Sequence, residues 1–73
     1  MKKKDREVEK GYSGPQAALK LRRLADSLEQ GESFRIQIGG ERISIPADAE
    51  ITFEHEREGT WEELEIQLKW KRT

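Results

Sequence analysis

Trp61-Glu62-Glu63-Leu64-Glu65-Ile66-Gln67-Leu68-Lys69-Trp70 is the stretch that decides the fold of this chain. From Leu64 to Trp70, apolar and polar residues alternate without a break. A helix would scatter such a set around its axis, whereas a strand puts every second residue on one side. The segment therefore reads as a β-strand with one dry face and one wet face. Its partner lies just upstream, in Ile51-Thr52-Phe53-Glu54-His55-Glu56-Arg57, which alternates in the same way. Gly59-Thr60 between them suits a two-residue type II′ turn. That loop sets Ile51 opposite Leu68, Phe53 opposite Ile66 and His55 opposite Leu64, so the apolar set closes on one face.

A second hairpin precedes the first. Phe34-Arg35-Ile36-Gln37-Ile38 and Glu41-Arg42-Ile43-Ser44-Ile45 flank Gly39-Gly40. A Gly-Gly loop is a hairpin turn, and it places Phe34 opposite Ile45 and Ile36 opposite Ile43. Upstream again, Ser13-Gly14-Pro15-Gln16 opens a helix: Ser13 caps, Pro15 is tolerated in the first turn, and Gln16 completes a capping box. Gly31 is the natural left-handed stop after Gln30. Ala17, Leu21, Leu24, Ala25 and Leu28 share one helical face, and Leu19 points away from it. Residues 6–12 hold only Val8 and Tyr12 in alternation, a candidate fifth strand.

The expected fold class is α+β, with one amphipathic helix on one face of an antiparallel four-stranded sheet. With the fifth strand the order is β-α-β-β-β-β. The expected core is Leu21, Leu24, Leu28, Phe34, Ile36, Ile43, Ile45, Ile51, Phe53, Ile66, Leu68 and Trp70. Residues 1–5 read as a flexible basic tail and residues 6–73 as a single domain.

With 73 residues, the chain has room for one small core and a stability margin of roughly 3–5 kcal/mol. It has no cysteine, which rules out a disulfide frame or a thiolate zinc site and suits a reducing cytoplasm. Lys2-Lys3-Lys4-Asp5-Arg6 is followed by no apolar run, so neither a signal peptide nor a membrane-spanning helix is expected. Charged residues make up 40% of the chain, yet the net charge is −1. A near-neutral chain lacks the global attraction to phosphate on which nucleic-acid binding draws.

Few residues suggest chemistry. His55 is the only histidine, and its neighbours Glu54 and Glu56 fall on the opposite face, so no nucleophile–base–orienter chain forms. On the wet face the register sets Glu54 opposite Glu65 and Glu56 opposite Glu63, an unfavourable acidic patch. Four carboxylates could attract a hard cation or a basic partner. The plainer reading is a solvated face, partly neutralised by Lys69 and by Arg42, which one continuous sheet would set opposite Glu54. No metal, cofactor or catalytic residue is expected, and a hydrolytic or metal-assisted site built from His55 and the glutamates is the poorest of the functional readings. Trp61, on the wet face, and Leu19 are the apolar residues the core does not explain; with Arg22 and Arg23 they form the candidate interaction surface.

With these elements in view, the chain resembles the amphi-Trp family of small, mostly single-domain proteins of bacteria and archaea. The likeness runs from about Arg6 to Lys71. It is carried by the helix around Ala17-Ala18-Leu19 and Leu24-Ala25-Asp26-Ser27-Leu28, by Gly31, by Ile51-Thr52-Phe53-Glu54 and by Leu64-Glu65-Ile66-Gln67-Leu68-Lys69-Trp70. The resemblance implies no established activity, cofactor or catalytic residue. The expected function is a non-enzymatic protein-interaction or small oligomerisation module, its partner an unidentified protein or a second copy. The alternative is weak nucleic-acid binding through the basic helix face and the termini.

Overall fold

The start of the helix is set by its own side chains. In the computed structural model, which describes residues 6–72, α1 spans Gly14–Gln30. Ser13 Oγ accepts from Gln16 N and Gln16 Oε1 accepts from Ser13 N, both at 3.3 Å, so the capping box closes reciprocally. The other end stops at Gly31, whose φ of 66° is open to glycine at little cost. Gly31 N–H donates to Leu28 O and Glu32 N–H to Ser27 O, which together make a Schellman ending.

Four strands follow: β1 (Phe34–Ile38), β2 (Glu41–Ile45), β3 (Glu50–Glu58) and β4 (Trp61–Lys69). The chain is α+β, with the helix preceding antiparallel strands. Both hairpin registers are those the turns dictate. Phe34 faces Ile45 and Ile36 faces Ile43 across β1–β2; Ile51 faces Leu68, Phe53 faces Ile66 and His55 faces Leu64 across β3–β4. Gly39 and Gly40 both have positive φ, as a type I′ turn needs; at the second turn Gly59 alone does, as in type II′.

The hairpins do not join. Each is a two-stranded sheet of its own, in place of the single four-stranded sheet that alternation suggested. Pro46 to Ala49 turns the chain between them, with Ala49 N–H donating to Pro46 O. Residues 6–13 carry no strand; they run as irregular chain past the first hairpin, where Arg6 pairs with Glu41 at 2.8 Å. The expected basic tail, residues 1–5, lies outside the described residues.

The helix packs on β1, with no comparable packing on β3 or β4 among the described residues. Phe34, 5% exposed, is the one buried apolar residue among them. Its burial contributes about 2–3 kcal/mol. Arg23 fastens this contact: its guanidinium lies 5.4 Å from the centre of the Phe34 ring and donates to the Arg35 carbonyl at 3.1 Å.

The expected core is therefore half assembled. Leu24, Ile36, Ile43, Ile45 and Leu68 are half-buried. Leu21, Leu28, Ile51, Phe53, Ile66 and Trp70 are exposed, contrary to expectation. Two causes account for this. The helix turns Ala17, Lys20, Leu24 and Ser27 inward, so its apolar stripe is split lengthwise and Leu21, Ala25 and Leu28 face out. The β3–β4 face, meanwhile, has no helix over it. Phe53 is 71% and Leu64 70% exposed.

The first turn gives a test. A Cβ on Gly39 would come within 2.7 Å of Val8 Cγ1, while Gly40 has open space around it; both need positive φ. Alanine at either site should cost about 1–2 kcal/mol through backbone strain. Gly39→Ala alone should also push Val8 and its neighbours off the hairpin, seen as a shift of the Val8 methyl resonances that Gly40→Ala leaves unchanged.

Candidate functional site

Three surface regions gather the residues with chemical potential. The first is the glutamate face of β3–β4, on which Glu65 and Gln67 are half-buried. Alternation sends Glu54, Glu56, Glu63 and Glu65 to one side, and the register sets Glu54 against Glu65 and Glu56 against Glu63. Carboxylate oxygens of Glu56, Glu63 and Glu65 lie within 4.8 Å of one another. Glu65 also accepts from Gln67 Nε2 at 3.0 Å. The Glu63 carboxyl is pushed above its ordinary 4.5, first by the charge of Glu65, then by partial loss of water, then by Glu56, with Glu9 adding to it. Arg42 does not relieve this crowding as expected. It sits on β2 opposite Gln37, because β2 and β3 do not pair. Lys69 stands opposite Glu50 at the far end of the hairpin.

The second region is the turn end of the apolar face of the same hairpin. Glu62 lies opposite Arg57 and diagonal to His55. Its Oε1 takes Arg57 Nη2 and His55 Nε2, each at 3.0 Å. The carboxylate beside the histidine is thus Glu62, which sequence reasoning passed over in looking only at the chain neighbours Glu54 and Glu56. The signal was present in the register, since Glu62 shares the face of Leu64 and Ile66. All three side chains are more than half exposed, so this is a solvated ion pair. Trp61, 80% exposed, lies beside it in a shallow concavity with Glu56, Arg57 and Glu63.

The third region joins the helix to the first hairpin. Lys20, Arg23, Arg35 and Arg42 line one open groove with Ile36 and Gln37, and no carboxylate lines it. These cations come from α1, β1 and β2 and looked scattered in the sequence; the rotation of the helix toward β1 collects them. Arg22, expected beside Arg23 on the interaction surface, does not line this groove. Lys20 Nζ also lies 4.8 Å above the Tyr12 ring, and next to it Leu19, 61% exposed, shares a concavity with Tyr12, Gln16, Lys20 and Arg23. Leu19 and Trp61 therefore belong to different surfaces. No helix among the described residues is long and apolar enough to cross a membrane.

A family model described as the Amphi-Trp domain matches residues 1–73. No curated protein and no solved structure matches. The chain belongs to the amphi-Trp domain family.

The raised Glu63 pKa has a defined sign. Its folded-state value is the higher one, so folding favours the protonated carboxyl, and the repulsion weakens as pH falls through the acid range. Glu63→Gln should raise the melting temperature at pH 7. That gain should vanish by about pH 3, where the carboxyls are protonated in either chain.

Proposed function

We propose that this amphi-Trp chain is a non-enzymatic association module that works through the exposed apolar face of β3–β4. The observation that carries the reading is the exposure of Ile51, Phe53, Leu64, Ile66 and Trp70 on one hairpin. Scattered apolar residues on a surface need no explanation, but a contiguous set on one face does. Phe53 and Leu64, 71% and 70% exposed, forfeit most of the roughly 1.5–3 kcal/mol that burying each would contribute, and the less exposed Ile51, Ile66 and Trp70 forfeit a smaller part. A two-stranded hairpin is marginal in water without something against its apolar face. Covering this face is therefore the chain's largest available source of further stability. His55, Arg57 and Glu62 would form the polar rim of the contact, as interfaces commonly have.

A dye that fluoresces on apolar surface tests this directly. At low micromolar protein the dye should bind the folded chain. The pair Phe53→Ser and Leu64→Ser should remove most of the signal with the near-ultraviolet circular dichroism unchanged. Absence of dye binding by the unaltered chain while it sediments as a monomer would mean that the face is covered within one chain, and the reading would fail.

A second reading draws on the basic groove. Lys20, Arg23, Arg35 and Arg42 offer at most four phosphate contacts, with Tyr12 near enough to stack a base. The net charge of −1 conceals this, because seven of the fifteen acidic residues lie on β3 and β4, away from the groove. Binding to a single strand would be weak, and its logarithm should fall against log salt with a slope of about −2 to −3. Arg35→Gln with Arg42→Gln should halve that slope. No binding at low salt would remove this reading and leave the first intact.

A further inference from the structure

We infer that the occupant of the β3–β4 face is a second copy of this chain, held in a two-fold dimer in which α1 of each copy lies on β3–β4 of the other. The inference rests on the association reading above and names its partner and geometry.

Area is the first argument. The chain exposes 6999 Å². A folded monomer of 8.5 kDa exposes roughly 4,700 Å². Its radius of gyration is 13.9 Å, where a compact chain of this length has about 11 Å. The excess surface is thus about 2,300 Å². Even with half of it assigned to irregular chain such as residues 6–13, the remainder exceeds the ~800 Å² per partner of a standard stable interface.

Complementarity is the second argument. The chain leaves two apolar surfaces open. One is the helix stripe Leu21, Ala25 and Leu28; the other is the hairpin face. A 17-residue helix is about 25 Å long, and nine-residue strands run about 30 Å. The helix and the hairpin are of similar length, and the stripe, which covers about 10 Å of the helix, shares the apolar chemistry of the face. Helix on sheet is also the layering that buries both. In an isologous pair the stripe of each copy meets the face of the other, so one contact repeated twice covers both surfaces. A foreign partner would have to supply both complements itself; a second copy already has them.

The chain has no cysteine, so a single introduced thiol reports one position unambiguously. Sedimentation of the full chain from about 2 to 500 µM should show twice the chain mass at the upper end. Leu21→Ser and Phe53→Ser should each raise the midpoint concentration at least tenfold. Leu19→Ser, on the opposite side of the helix, should leave it unchanged. Mixing Leu21→Cys chains with Phe53→Cys chains under mild oxidation should give mostly the mixed disulfide. A monomer at every concentration overturns the inference, and if dye binding at Phe53 and Leu64 persists in that case, the association reading survives without it. A dimer that cross-links Phe53→Cys to itself in preference to Leu21→Cys also overturns it, since the hairpins would then be stacked face to face.

Discussion

One helix of 17 residues has the apolar faces of two hairpins to cover, and it covers one. The remaining features follow from this shortage. The docking of α1 on β1 buries Phe34 and half-buries the isoleucines around it, with Arg23 clamping ring and backbone together. The second hairpin holds its shape through its own ladder and turn. Its apolar face has the right pattern for a core wall and lacks the second wall. For a chain this small the margin is only a few kcal/mol, and several large side chains left in water amount to a comparable sum.

The same docking sorts the charges. With the helix lying toward β1, Lys20 and Arg23 join Arg35 and Arg42 on one surface. The glutamates of β3 and β4 stay together on the other hairpin and raise the pKa of Glu63. A near-zero net charge thus hides one basic and one acidic surface. Composition averages over both, so it excludes less than it suggests about partners.

What was legible in the sequence was the local structure. Ser13, Gln16 and Gly31 mark the helix because capping is decided within a few residues. The two-residue turns set both registers down to the opposed glutamates, because a register is fixed by loop length and by period-two alternation. The joining of hairpins into a sheet and the rotation of the helix were not legible. Both depend on contacts between distant segments. Leu21 is the sequence's natural core residue, yet Lys20 takes the inward position, its aliphatic stem lying along the protein and its ammonium over Tyr12. The reach of Arg23 to Phe34 and Arg35 favours that rotation, and hydrophobic periodicity gives no weight to such long polar side chains. Glu62 is a different case: the register already set it opposite Arg57 and diagonal to His55, and reading only the chain neighbours of His55 overlooked it.

If the β3–β4 face is completed by association, the stability of that hairpin must depend on protein concentration, because partner binding stabilises only the state that binds. Amide hydrogen exchange measured residue by residue at two concentrations a hundredfold apart tests this most directly. Protection of Ile51 to Glu58 and Trp61 to Lys69 should rise at the higher concentration, by more than that of Phe34 to Ile45. Protection of β3 and β4 that is strong and the same at both concentrations would contradict the claim, since the hairpin would then be complete within one chain.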